Sequence, residues 1–203
     1  MEMGGVKRLA QDFYTGSDVV QIAKDLLGKV IVTTIGGRLT SGIISETEAY
    51  AGPIDKASHA YQNKKTNRTK NMFETGGIAY VYLIYGIHHL FNFVTNVQGV
   101  PHAILLRGIV PLDGLEIMQH RRKTNLNSGF TVGPGTASQA LGITTALDGV
   151  DLQGDKICVE DRNIVIPPTK IIAQPRIGVD YAGEHAKWLW NFKLEMDLFV
   201  NLS

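Results

Sequence analysis

At 203 residues and 44% hydrophobic content, the chain can bury one sizeable core and is short for two domains. A formal net charge of +1 argues against nucleic-acid binding by bulk positive charge, and the single cysteine, Cys158, excludes an internal disulfide. No apolar run approaches the roughly 20 residues of a membrane helix, and Glu2, Lys7, Arg8, Asp12 and Asp18 break any signal-peptide pattern, so the expectation is a cytoplasmic protein with no membrane partner.

Val19, Ile22, Ala23, Leu26 and Leu27 recur at helical spacing between Ser17 and Gly28, which predicts a capped helix of about three turns over 18–27. Residues 30–34 and 39–49 read as strands joined through Gly36-Gly37, a hairpin signal, and Gly52-Pro53 ends the second. Residues 60–76 are polar and irregular apart from a short turn at Met72-Phe73, and read as a surface loop. This loop holds Lys64, Lys65, Arg68 and Lys70, and Arg121, Arg122 and Lys123 form a second basic cluster. Such clusters are ordinary solvated surface when they stand alone, but the position of the first, between an acidic and a tyrosine-rich segment, suits phosphate contacts.

Strands follow at 77–85, 89–95 and 102–110. Pro111-Leu112-Asp113-Gly114 opens a helix with Leu115, Ile117 and Met118 inward, and Gly133-Pro134-Gly135 leads into another that stops at Gly142. Short strands and turns fill the remainder: Cys158 sits between Ile157 and Val159 in a buried strand, and Trp188-Leu189-Trp190 precedes an apolar strand to about Val200. The expected fold class is α+β. It comprises one domain over 1–203, with 1–8 and 196–203 peripheral, built on a curved, mostly antiparallel sheet with packed helices and a protruding β-hairpin.

The segments richest in chemistry are Glu46-Thr47-Glu48-Ala49-Tyr50 and Tyr80-Val81-Tyr82-Leu83-Ile84-Tyr85-Gly86. Alternate residues of a strand share a face, which groups Glu46 with Glu48 and Tyr50, and Tyr80 with Tyr82 and Ile84. Tyr85, beside the turn residue Gly86, falls at a hairpin tip, where a ring has little core to fill. Two carboxylates one residue apart are open to three readings: a metal site, a salt-bridged sheet face, or an acid–base pair. His88-His89 lacks ligand spacing to them, which argues against metal. Tyr80 fits an ordinary core strand. Asn92, inside Leu90-Phe91-Phe93-Val94, needs a hydrogen-bond partner or costs about 1–3 kcal/mol.

These segments occur in a wider order: Glu46 to Pro53 with Asp55 and His59, Asn67-Arg68, Met72-Phe73, Tyr80 to Gly86 with Asn92, Leu105-Leu106-Arg107 and Pro111 to Leu115. Gly133-Pro134-Gly135, Gln139 to Ile143 and Pro175-Arg176-Ile177-Gly178-Val179 follow. In that order and spacing the chain closely resembles the alkyladenine (3-methyladenine) DNA glycosylase family, over nearly its whole length. The resemblance implies a DNA repair enzyme that flips alkylated or deaminated purines out of duplex DNA and hydrolyses the N-glycosidic bond. Glu48 would be the general base holding the attacking water, helped by Arg107 and the main-chain carbonyl of Ile177. Tyr50, His59 and Tyr82 would stack on the base, Asn92 would exclude guanine by crowding its amino group, and Tyr85 would enter the minor groove.

Lys64, Lys65, Arg68 and Thr136 are the expected DNA contacts, and His88 and His89 are open to either DNA contact or plain exposure. No lysine is placed as a Schiff-base nucleophile for this family, which implies a monofunctional enzyme with no cofactor. The ligand spacing leaves no metal expected. A base-flipping enzyme needs only one copy on the duplex, so a monomer is expected, nucleoid-associated if the source is bacterial. Three positions depart from the family: Thr136 stands where lysine is usual after Gly-Pro-Gly, and Gly108 and Val110 stand where alanine and glutamate are usual. Two rival readings remain. One is a non-catalytic DNA-damage reader, and the other is a hydrolase of another N-glycoside using Glu46 and Glu48 as its pair.

Overall fold

The Gly36-Gly37 hairpin forms as its sequence signal requires, with both glycines at positive φ (+60° and +72°), where an L side chain would be strained. It joins β2 (Val30–Ile35) to β3 (Arg38–Ala51), in a computed structural model that describes residues 6–127 and 129–195. Ahead of it lie β1 (Lys7–Arg8), α1 (Gln11–Tyr14) and α2 (Val19–Asp25). After it come β4 (Ala79–Ile84), β5 (His88–Thr95), β6 (His102–Pro111), α3 (Leu115–Arg122) and α4 (Pro134–Leu141), then β7 (Ile157–Asp161), β8 (Ile171–Gln174) and β9 (Asn191–Leu194). Of the strand expected to run to Val200, residues 196–200 lie outside the described residues.

The helix expected over 18–27 is shorter, seven residues: at its start Asp18 is the cap, its carboxylate accepting from the amides of Val20 and Gln21, and at its end Leu26 is the C-cap and Leu27 lies in the turn to Gly28. Residues 60–76 are not wholly irregular, since 310 turns form at Tyr61–Asn63 and Lys70–Phe73, and Met72 and Phe73 are buried against Tyr80 and Ala103. Arg121 and Arg122 are not a free solvated cluster. Arg121 donates to Thr40 and the Ala140 carbonyl, and Arg122 to Gln139 and the Phe130 carbonyl, which ties α3 to α4. Cys158 is buried in β7, and burial raises its thiol pKa.

The α+β expectation holds: all paired strands are antiparallel in one nine-stranded sheet, ordered β1-β7-β2-β3-β6-β5-β4, with β9 between β3 and β8. β3 is long enough to change neighbours. Its first half pairs with β2, and its second half, Glu46 to Glu48, pairs with β9. One face of the sheet carries Val81, Phe91, Phe93, Ile104, Leu106, Ala49 and Phe192 into the core with α2 and α4. Alternation sends their neighbours to the opposite face, where the cavity lies.

Candidate active site

Cross-strand register builds the site. Tyr80 pairs with Asn92, Asn92 with Leu105, Leu105 with Glu48, Glu48 with Asn191, and Asn191 with Gln174, a row running from β4 to β8. Directly opposed residues share a face, so the row needs no loop to bring together side chains far apart in sequence. Two irregularities interrupt the β3–β6 ladder. Ser45 has no partner between Ile44 and Glu46, and Arg107 has none between Leu106 and Gly108. Such bulges re-aim side chains, and here Arg107 is turned onto the carboxylates. Gly108 suits this crowding, because a Cβ there would lie 3.0 Å from Ser45 Oγ and 3.3 Å from Glu46 Cβ.

Glu46 and Glu48 are both buried, at 5% and 0% exposure. Arg107 Nε donates to Glu46 Oε1 at 3.0 Å, and its Nη1 reaches Glu48 Oε2 at 3.4 Å. Asn191 Nδ2 donates to Glu46 Oε1 at 2.8 Å and Glu48 Oε1 at 3.0 Å. The Ile177 amide donates to Glu48 Oε1 at 2.8 Å, and the Tyr50 hydroxyl to Glu48 Oε2 at 2.8 Å. Burial first, and then the Glu48 charge, push the Tyr50 hydroxyl pKa well above its ordinary value, so Tyr50 remains a donor. Bridged this way, the two carboxylates lie side by side and cannot flank a sugar, which removes the reading of them as a two-carboxylate glycosidase pair.

A cavity of about 850 Å³ opens beside this network, lined by Tyr50, His59, Tyr80, Tyr82, Asn92, Arg107 and Ile177 among others. Glu48 is not on its wall but behind Tyr50, Arg107 and Ile177, each of which donates to it. Asn92 finds its partners in the Tyr80 and Leu90 carbonyls, at 3.1 and 3.4 Å, and its carboxamide is thereby held at the cavity wall. Tyr80, which fits a core strand by its sequence, also belongs to the cup: its hydroxyl shares a 2.9 Å hydrogen bond with His59 Nδ1. The His59 and Tyr82 rings meet edge to face, 4.8 Å apart.

Burial, and secondarily the Arg68 charge, lower the His59 pKa from 6.5 to about 4. The folded protein thus keeps His59 neutral where the unfolded chain protonates it, so stability declines as pH falls from 6.5 towards 4. His59→Gln removes this contribution, and its Tm should vary less than that of wild type across that window. Burial lowers the His102 pKa as well, so some slope persists in the variant. Parallel Tm–pH curves for wild type and variant would show that His59 titrates normally in the fold.

Tyr85 is 85% exposed at the tip of the β4–β5 hairpin, flanked by exposed Leu83 and Ile87. Its φ of +53° and that of Gly86, +72°, form a tight turn closed by the Ile87 amide on the Ile84 carbonyl. A bulky residue in this left-handed region costs on the order of 1 kcal/mol. A ring placed there against local preference points to use outside the fold.

Of the expected DNA contacts, Lys64 is exposed, while Lys65 sits over the Phe73 ring at 5.2 Å. Arg68 is stacked 4.6 Å over Tyr82, at the cavity rim. Thr136 lines the cavity in the first turn of α4, its hydroxyl within 2.8 Å of the Val132 and Gly133 carbonyls. His88 borders the cavity, packed against Gly135, and His89 accepts from the Thr145 amide at 3.1 Å.

Behind Tyr50 lies a buried pair, Asp55 and Arg176. Arg176 holds Asp55 through both of its Nη atoms, donates also to the Ala49 and His185 carbonyls, and lies between the Tyr50 and Trp190 rings, 4.8 and 5.3 Å away. It immediately precedes Ile177, and so fixes the amide aimed at Glu48. Sequence reading assigned no role to Asn191 or to the Asp55–Arg176 pair. The signal for Asn191 was the one that drew attention to Asn92: a polar residue among apolar neighbours, here Trp190, Phe192 and Leu194.

The family profile of methylpurine-DNA glycosylase matches residues 12–197. A protein of Chlamydia abortus is 44% identical over 190 residues, 93% of this chain and 98% of its own length. A protein of Clostridium perfringens is 41% identical over 203 residues, 96% of this chain and 98% of its own. Both are provisionally named 3-methyladenine DNA glycosylase.

Proposed function

Because the chain belongs to the methylpurine-DNA glycosylase family, we propose that it flips damaged purines out of duplex DNA and hydrolyses the N-glycosidic bond, leaving an abasic site. The observation that carries this reading is the cavity in which an aromatic cup and Arg107 meet, with the carboxylate network directly behind its wall and Tyr85 exposed on the hairpin at its rim. Extruding a nucleotide costs a few kcal/mol, and stacking in an aromatic cup returns about 1–3 kcal/mol per base. Tyr85 fills the vacated space. A neutral His59 does not repel a positively charged alkylpurine, and the electron-rich rings attract it.

Breaking the bond develops positive charge on the sugar, which the Glu48 carboxylate stabilises before accepting the proton of the attacking water. Glu48 Oε2 has one short donor, the Tyr50 hydroxyl, against two on Oε1, and with Tyr50 and Arg107 on the cavity wall beside it, it is the oxygen that an entering water meets. Water reaches it when lesion binding moves the Tyr50 hydroxyl aside, and Arg107 and the Ile177 carbonyl then help to hold the water. Lys64, Lys65, Arg68 and Thr136 contact the DNA backbone, one protein molecule acting on each lesion. No lysine is among the described residues lining the cavity, which supports a monofunctional enzyme.

The test is release of free base from duplex oligonucleotides carrying 3-methyladenine, 7-methylguanine, hypoxanthine or ethenoadenine, with a borohydride trap. Release without a trapped adduct is expected, and the ranking of lesions gives the specificity. The burial of Glu48 behind the cavity wall is the observation that favours a non-catalytic damage reader. Tight lesion binding with no release from any substrate would establish that reading instead. Tyr85→Ala should lower excision of well-paired lesions by about 10-fold or more and spare poorly paired ones, because only the former resist extrusion by a few kcal/mol. Equal losses on both would separate Tyr85 from flipping.

A further inference from the structure

We infer that Asn191 is a positioning residue of this site, which assigns the two oxygens of Glu48 to different roles; the inference rests on the glycosylase reading above. Asn191 is fully buried and faces Glu48 across the β9–β3 ladder. Its carboxamide is oriented by Gln174, whose Nε2 donates to Asn191 Oδ1 at 3.1 Å and leaves the amino group turned to the carboxylates. From there Nδ2 bridges Glu46 Oε1 and Glu48 Oε1. With the Ile177 amide, Glu48 Oε1 has two short N–H donors, as many as its lone pairs accept. Oε2 has a single short donor, the Tyr50 hydroxyl, while Arg107 lies 3.4 Å from both oxygens, Nε from Oε1 and Nη1 from Oε2. Oε1 is therefore the anchor, and Oε2 the oxygen that takes the proton.

A neutral donor is suited to the anchor. It fixes the carboxylate without cancelling the negative charge that the developing sugar cation requires. A lysine or arginine at this position would cancel it, and an aspartate would put a third carboxylate beside the other two. Asn191 does not line the cavity, so its effect falls on the geometry of Glu48 and not on lesion contacts.

In Asn191→Leu, single-turnover excision should fall about 100-fold, the usual consequence of misplacing a reacting group by an ångström. Affinity for the lesion duplex should stay within about threefold, the separation of rate from binding that marks an interaction outside the ground-state complex. Gln174→Leu frees the carboxamide to turn, and should show the same separation with about a 10-fold loss; it carries the prediction if Asn191→Leu does not fold. Rate and affinity falling in proportion, or folded variants excising like an active wild type, would overturn the inference alone. A wild type that releases no base would overturn the glycosylase reading, and the inference with it.

Discussion

Replacing Glu48 with glutamine should lower the single-turnover rate of base release by about 10³-fold or more, near the upper range for a lost general base, while lesion binding stays within a few-fold. The substitution is chosen for its shape. A carboxamide oxygen at the Oε1 position still accepts from the Ile177 amide and Asn191, and its amino group can donate to the Tyr50 hydroxyl. Arg107 retains Glu46 at 3.0 Å, so no buried cation is stranded. What disappears is the negative charge and the proton acceptor. Excision by Glu48→Gln at a rate comparable to wild type would remove Glu48 from the chemistry and leave Arg107 and the cavity to account for it. A parallel loss of lesion affinity would place its role in binding.

Asp55→Ala is expected to be the most destabilising single change at the site, by about 3–5 kcal/mol in denaturant unfolding, because it leaves the guanidinium of Arg176 buried without its counter-charge. Both side chains are wholly buried. Arg176 has little alternative, since its other acceptors are the main-chain carbonyls of Ala49 and His185 and its Nε has no partner among the described residues. The damage extends to function, because Arg176 packs beneath Tyr50 and sets the position of Ile177. Asp55→Leu combined with Arg176→Met should recover much of the stability, as apolar replacement of a buried pair commonly does. Excision should remain impaired in that double variant. A loss below about 1 kcal/mol for Asp55→Ala would mean that water reaches the guanidinium, as for a surface pair.

The reach and the limits of the sequence follow from how far each interaction extends along the chain. Alternation within a strand is local, and it correctly grouped Glu46, Glu48 and Tyr50 on one face of their strand and Tyr80 with Tyr82 on one face of theirs; that the two groups share one face of the sheet came from the register. Turn chemistry is local too. Gly36-Gly37 and Gly86 fall in tight turns, and Tyr85 is at the tip as expected. The short apolar periodicity before Gly28 marked a helix, but not that Asp18 would serve as its cap and Leu26 as its end.

The arrangement of strands is another matter. Nothing within 44–51 or 191–194 states that β9 pairs with the second half of β3, 143 residues away at Asn191 and Glu48, and no periodicity reveals the bulge that turns Arg107 inward. The sequence by itself determined which side chains each strand would present, the turns and the fold class, because these follow from backbone geometry over a few residues. Only the tertiary structure decided that Asn191, oriented by Gln174, reaches Glu48 and that Tyr50, Arg107 and Ile177 shield it. Those contacts depend on strand order and register, which are set by burying both faces of the sheet at once.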